Sequence, residues 1–184
     1  MNNCPILNTE RLLIRPIAFS DHLEFYKLLT NPIISEIAGV DANIELKNIE
    51  DSIQYFESLN STGYYYKWAL CLKSDAKFIG ECEIYPLKPQ VRPWFEWAIG
   101  FTLDPDYWRN GFMYEALSNV ISYSFENFEI HRIKADVHTF NIPSNKLLEK
   151  LRFKLEGVQK SKILLNNKYF NMNLMALTKN SWKE

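Results

Sequence analysis

Residues 107–117 (YWRNGFMYEAL) combine the features of a phosphate-binding turn. They follow a turn at residues 103–105 and begin an amphipathic helix, and Gly111 stands between turn and helix. The first four N–H groups of a helix lack intrahelical partners, and the helix dipole there favours an anion. Gly111 permits close approach to the backbone, and Arg109 supplies a charge-assisted contact. The pattern predicts a diphosphate site; the alternative is that Gly111 only caps a surface turn.

The composition of the 184-residue chain predicts one domain over residues 1–184, since 47% of its residues are hydrophobic and 23% are charged. A formal net charge of −1 argues against direct nucleic-acid binding. The three cysteines have no metal-ligand spacing and indicate reduced thiols. We find no signal peptide and no apolar run of membrane-spanning length, so we expect a cytoplasmic protein without membrane contact.

The elements that must position this turn follow from the hydrophobic periodicity. Alternating or aromatic runs predict strands at residues 9–17, 64–73, 78–87, 94–103, 131–138, 154–165 and 168–178. Helical spacing predicts a helix beginning at Ser20 as its N-cap and ending at residues 31–32, and further helices at 45–59, 111–127 and 141–151. Residues 33–43 are expected to be irregular with a hinge at Gly39, and residues 166–167 to form a hairpin turn.

This order of elements predicts an α/β fold. A strand–helix–strand crossover among antiparallel hairpins implies a mixed, mostly antiparallel sheet with helices on both faces.

Four local motifs resemble the GNAT superfamily of N-acetyltransferases, and more closely its ribosomal-protein-alanine N-acetyltransferase branch. They are residues 8–15 (NTERLLIR), 78–81 (FIGE), 107–117, and 141–144 (NIPS) continuing through 148–157 (LEKLRFKLEG). The resemblance covers nearly the whole chain. It implies the GNAT fold and acetyl-CoA as co-substrate.

The resemblance also implies which residues bind acetyl-CoA. The loop around the diphosphate corresponds to Trp108, Arg109, Asn110, Gly111, Phe112 and Met113. The strand edge that pairs with the pantetheine arm corresponds to Phe101, Thr102 and Leu103, in the manner of a peptide added to an open sheet edge. The chain departs from the family at Met113, where Gly or Ala is usual.

Asn141 and Ser144 complete the implied cofactor site. The resemblance places Asn141 on the cofactor arm and Ser144 near the sulfur, where its hydroxyl can assist the departing thiolate. A second interpretation is that Asn141 is an N-cap, with Pro143 in the first turn of the helix. The Tyr acid of many relatives is absent, because Leu148 stands at its position and Arg152 at that of the following glycine.

A carboxylate is expected to accept the proton of the attacking amine. Glu96 is the first candidate, because burial among Trp94, Phe95 and Trp97 would raise its pKa. The family's usual acidic position in this strand is Ala98, on the same strand face as Glu96. The other candidates are Glu81 and Glu83, and each carboxylate is alternatively a solvated strand charge.

The expected function is transfer of an acetyl group from acetyl-CoA to a primary amine. The resemblance favours a protein N-terminal α-amino group as acceptor. The alternatives are a small amine (a polyamine, an amino acid or an antibiotic) and a non-catalytic CoA-binding module. No metal site is predicted, since no pair of the three histidines has ligand spacing. The sequence leaves open whether the protein is a monomer or a homodimer.

Overall fold

The computed structural model describes residues 3–38, 43–87, 96–165 and 168–183. Within these residues, eight strands form one sheet in the order β1-β2-β3-β4-β5-β6-β8-β7. The strands are β1 (Leu7–Asn8), β2 (Leu12–Pro16), β3 (Tyr66–Leu72), β4 (Phe78–Pro86), β5 (Glu96–Leu103), β6 (Arg132–His138), β7 (Lys154–Leu165) and β8 (Lys168–Thr178). The helices are α1 (His22–Thr30), α2 (Pro32–Ala38), α3 (Leu46–Asn60), α4 (Phe112–Asn127), α5 (Ile142–Lys150) and α6 (Lys179–Lys183).

The sheet is mixed and mostly antiparallel, as predicted. Among the strand pairs of the described residues, only β5 and β6 run parallel. Parallel neighbours need a long crossover connection, and α4 provides it between these two strands.

Strands β5 and β6 separate after a short paired segment. Their register runs from Glu96 opposite Arg132 to Ala98 opposite Lys134. On its other side, β5 stays paired with β4 as far as Leu103. In the described structure, the β6-facing edge of β5 therefore lacks a strand partner from residue 99 onward.

Apolar side chains cover both faces of the sheet. One core cluster packs α4 and Leu148 of α5 against residues of β2 to β6 and β8, with Tyr66, Trp68 and Trp97 among its fully buried members. A second cluster packs α1, α2 and α3 against the other face of β3 and β4. The predicted placement of helices on both faces is confirmed.

Three local predictions are wrong. The strand predicted at residues 9–17 begins only at Leu12, because residues 9–11 turn between β1 and β2. Ser20 does not cap α1; it lies inside a short 3-10 helix, and Asp21 accepts hydrogen bonds from the Ala18 N–H (2.9 Å) and from Arg15. Residues 33–38 are not irregular, since α2 begins at Pro32. Proline suits the first position of a helix, and Ile34 packs into the second core cluster.

The other predicted elements agree with the structure to within two residues at the ends that it describes. The two final strands have the predicted bounds. Gly39, Trp94, Phe95 and the turn at residues 166–167 lie outside the described residues. Helix α6 was not anticipated.

Candidate active site

A cleft of about 710 Å³ lies between the open end of β5 and the N-terminal end of α5. Ten of the eleven residues predicted to bind the cofactor line it, namely Phe101, Thr102, Leu103, Trp108, Arg109, Gly111, Phe112, Met113, Asn141 and Ser144. The exception is Asn110, whose side-chain amide donates to the backbone oxygen of Trp108 at 3.0 Å. We call this space the β5–α5 cleft.

The loop of residues 108–113 has the backbone conformation of an anion site. Gly111 is the N-cap of α4 with φ 81°, and none of the described side chains caps the helix there. Arg109 also has a positive φ, 62°. The indole N–H of Trp108 donates to the carbonyl of Leu103 at 2.7 Å and ties the loop to the end of β5. The first N–H groups of α4 are thus presented without a competing side chain.

Met113 does not obstruct the loop. The residue is 6% exposed and belongs to the core cluster beneath α4. The larger side chain is therefore accommodated in the core, although the residue also borders the cleft.

Asn141 is the N-cap of α5, as one of its two interpretations requires. Its side-chain oxygen accepts a hydrogen bond from the N–H of Ser144 at 3.2 Å, and Pro143 lies in the first turn. Both Asn141 and Ser144 also border the β5–α5 cleft. The capping bond fixes the position of Ser144 at the cleft wall.

Several cleft residues were missed by sequence reasoning. Lys146 and Lys150 lie one turn apart on α5, and together with Arg109 they are the charged residues among the described residues that line the cleft. The two lysines are four residues apart in the helix that follows Asn141, and this spacing on one helix face is a signal that could have identified them. Ile34 and Ile37 of α2 form part of the apolar wall.

Glu96 does not have the buried environment expected of it. Adjacent strand residues point to opposite faces, so Trp97 enters the core while Glu96 points to the other side. There its carboxylate pairs with the Nε of Arg132 at 2.6 Å, and 37% of its side chain is exposed. Glu96 also lies near the start of β5. It is four residues, or about 13 Å along the strand, before Gly100, where β5 has already separated from β6.

Glu81 and Glu83 belong to a cluster of side chains that was not predicted from the sequence. The ammonium group of Lys67 lies 2.7 Å from Glu81 and 3.0 Å from Glu83, and Glu83 also accepts a hydrogen bond from the hydroxyl of Tyr65. We call Tyr65, Lys67, Glu81 and Glu83 the lysine–glutamate cluster. One lysine thus serves two carboxyl groups, and the cluster has one more acidic than basic side chain.

Burial and charge both affect the groups of this cluster. Burial alone would lower the pKa of Lys67, but the charges of Glu81 and Glu83 raise it above its ordinary value. Burial and the neighbouring Glu83 raise the pKa of the Tyr65 phenol well above its ordinary range. Lys67 therefore stays protonated and Tyr65 stays a hydrogen-bond donor.

Glu83 is the carboxylate of the cluster nearest the divergence of β5 and β6. A Cβ added at Gly100 would lie 2.9 Å from Glu83 Oε1, so the glutamate side chain occupies the space beside that glycine. The side chain of Glu83 is 21% exposed, whereas that of Glu81 is 6% exposed. Glu83 is thus the more accessible carboxylate at this point of the sheet.

The aromatic side chains of residues 65–68 have packing roles. Tyr66 and Trp68 are core residues, whereas Tyr65 stacks with Phe56 and Tyr85 at ring-centroid distances of 6.0 and 5.5 Å. Within the described part of the chain, no group of three or more His, Cys, Asp or Glu side chains is arranged to hold a metal ion. None of the helices described is both long and apolar enough to cross a membrane.

Known proteins match both the sequence and the fold. Residues 11–154 match the model of the acetyltransferase (GNAT) domain family. The chain is 30% identical to the uncharacterized N-acetyltransferase YoaA of Bacillus subtilis over 95% of this chain and 97% of that protein. It is also 33% identical to the [ribosomal protein uS5]-alanine N-acetyltransferase of Escherichia coli, over 46% of this chain and 43% of that protein.

A solved structure supports the same fold. Spermidine N-acetyltransferase from Vibrio cholerae, in complex with CoA and spermine, superposes with a TM-score of 0.81 at 17% identity, covering 94% of this chain and 98% of that one. The family match over most of the chain and the relative of nearly equal length agree with this likeness. The chain belongs to the GNAT family and is an N-acetyltransferase.

Proposed function

We propose that this enzyme transfers the acetyl group of acetyl-CoA to a protein N-terminal α-amino group. The observation that carries the donor assignment is the β5–α5 cleft. It joins the open edge of β5 to the N-terminus of α4, which none of the described side chains caps. The open edge suits the amide groups of a pantetheine arm, and the helix N-terminus suits a diphosphate.

The charges of the cleft support the same donor. Arg109, Lys146 and Lys150 face a space that has no acidic lining residue among those described. CoA carries several phosphate charges, so this lining favours the binding of CoA over that of an uncharged thioester of similar length.

Two residues of this chain have proposed catalytic roles. Ser144 donates a hydrogen bond to the departing thiolate, from the position that the Asn141 cap gives it. Glu83, rather than Glu96, accepts the proton of the amine. It lies beside Gly100 where β5 leaves β6, whereas Glu96 is paired with Arg132 near the start of the strand.

The acceptor assignment rests on the sequence likeness to the uS5-alanine enzyme, which is 33% identical over the matched part. The second candidate is a small polyamine, favoured by the excess of acidic over basic side chains in the lysine–glutamate cluster and by stacked Tyr65 and Tyr85 beside Glu83.

The test is thiol release from acetyl-CoA with a panel of acceptors, followed by mass spectrometry of the products. The panel contains an alanine-initiated peptide, the same peptide with a blocked N-terminus and an internal lysine, and spermidine. We expect acetylation of the free N-terminus only. Acetylation of spermidine alone would support the second candidate, and CoA binding without release for any acceptor would support a non-catalytic module.

A further inference from the structure

The N-terminal motif of residues 8–15 has no part in the function proposed above, yet it contacts the loop of residues 108–113. Arg11 lies in the turn between β1 and β2, about a hundred residues before the loop in sequence. Its Nη1 donates to the backbone oxygen of Asn110 at 2.9 Å. Its guanidinium group also lies over the ring of Phe112, 4.3 Å from the centroid.

Glu115 fixes the position of Arg11. Its carboxylate accepts from the Nε of Arg11 at 2.7 Å, from the backbone N–H of Arg11 at 2.8 Å and from the hydroxyl of Thr9 at 2.5 Å. Burial alone would raise the pKa of Glu115, but the hydrogen bonds from Thr9 and Arg11 lower it below its ordinary value. Glu115 is therefore charged, and its charge is balanced by Arg11.

The loop needs such support because its conformation is costly. Arg109 and Gly111 both adopt positive φ, 62° and 81°, on either side of Asn110, and the cost falls on Arg109 because it is not a glycine. A non-glycine residue in this region persists only where the surroundings hold it. Arg11 holds the carbonyl of the residue between the two.

We propose that Arg11, anchored by Glu115, is a positioning residue of the diphosphate site, and this inference rests on the proposed function. By holding the carbonyl of Asn110, Arg11 keeps the N–H groups at the start of α4 directed at the anion. The ion pair contributes little to global stability, since the side chain of Arg11 is 42% exposed. Its effect is concentrated on the loop.

The experiment measures the Kd of CoA by calorimetry for the wild type, Arg11→Gln, Arg11→Lys and the double variant Arg11→Gln with Glu115→Gln. Lys47→Gln is the control, since it removes a cation from an exposed ion pair on α3 of similar length, 2.8 Å. We expect Arg11→Gln to weaken CoA about tenfold or more, corresponding to a lost charge-assisted hydrogen bond. Arg11→Lys should lie in between, and Lys47→Gln should match the wild type.

The double variant separates positioning from charge balance. If Arg11 only neutralised Glu115, removing both charges would restore wild-type affinity; we expect affinity to stay as weak as in Arg11→Gln. The KM of S-acetylpantetheine, which lacks the diphosphate, should change less than twofold in Arg11→Gln, whereas a general structural defect would raise it.

Two results would overturn the inference while leaving the proposed function intact. They are equal CoA affinity in Arg11→Gln and Lys47→Gln, and restored affinity in the double variant. A wild-type protein that binds CoA but acetylates no amine would refute the proposed function and still permit the comparison of variants. Absence of CoA binding by the wild type would refute both.

Discussion

The side chain of Glu83 fills the space beside the Cα of Gly100, so that a methyl group added there would lie 2.9 Å from Glu83 Oε1. Gly100 follows the last parallel pair of β5 and β6 by two residues. This relationship places an accessible carboxylate at the divergence of the two strands.

Gly100→Ala should displace the side chain of Glu83, because the added methyl group would lie 2.9 Å from its Oε1 and 3.1 Å from its Cγ. The fold should stay intact, because the neighbouring atoms belong to a flexible side chain rather than to the backbone. We expect kcat to fall at least tenfold with little change in the Kd of CoA. Glu83→Gln should lower kcat further at neutral pH, about 100-fold for a lost general base, and recover at high pH as more of the amine becomes neutral. If Glu96→Gln instead showed the larger loss and the pH-dependent recovery, Glu96 would be the base.

Gly111→Val should abolish CoA binding while the fold persists. The φ of 81° is strained for a β-branched residue, and the rearranged loop would no longer present its N–H groups. Gly157→Val is the matched control, since a Cβ there meets no atom of the described residues within 4 Å. Calorimetry and circular dichroism measure binding and fold. Undiminished CoA affinity in Gly111→Val would remove the loop from the donor site.

Ser144→Ala should reduce kcat more than it changes CoA affinity, because the hydroxyl acts on the leaving thiolate while its backbone N–H still bonds Asn141. Steady-state kinetics with acetyl-CoA and the Kd of CoA give the two quantities. A loss confined to affinity would make Ser144 a binding residue only.

Lys67→Met should destabilise the protein by about 3–5 kcal/mol, because it leaves two carboxylates without their shared partner, one of them deeply buried. Urea denaturation at neutral pH measures the free energy of unfolding. Lys47→Met breaks an exposed ion pair and should leave the midpoint nearly unchanged. Equal midpoints for the two variants would contradict the assigned role of the cluster.

Arg152→Gly should stabilise the protein by about 1 kcal/mol. Arg152 lies two residues after the last residue of α5, at φ 70°. The N–H groups of Arg152 and Phe153 bond to the carbonyls of Glu149 and Leu148 at 2.9 Å each, which is a Schellman motif. Glycine adopts this conformation without penalty. Arg152→Ala is the control, since it also removes the hydrogen bond from Arg152 Nη1 to the carbonyl of Ser181 (3.2 Å) but keeps Cβ. The glycine variant should have the highest Tm in thermal unfolding. A glycine variant no more stable than the alanine variant would show that the backbone at Arg152 is not strained.

The parts of the site predicted from sequence are those encoded within a few residues. The glycine before α4 and the cap–proline pair of Asn141 and Pro143 are local signals, and the structure brings both to one cleft. The start of α2 was misread because Pro32 was interpreted as a terminator, although it also suits the first turn of a helix. For the same reason the position of Ile34 in the cleft wall was not predicted.

The remaining contacts join residues distant in sequence. Glu96 forms an ion pair with Arg132, thirty-six residues away, and no local sequence pattern predicts that pair. The clustering of Lys67 with Glu83 depends on the register of β3 and β4, and the contact of Glu83 with Gly100 on that of β4 and β5. A one-residue shift of register would move these side chains to the other face. The choice among the carboxylates therefore required the folded arrangement.

Strand β5 borders both proposed binding regions, because its free edge faces the β5–α5 cleft and its surface at Gly100 faces Glu83. A donor on that edge and an amine beside Glu83 would be in contact across a single strand, without any relay through an enzyme nucleophile. The initial-velocity lines for the two substrates should therefore intersect rather than run parallel, and no acetylated enzyme should accumulate when the acceptor is withheld.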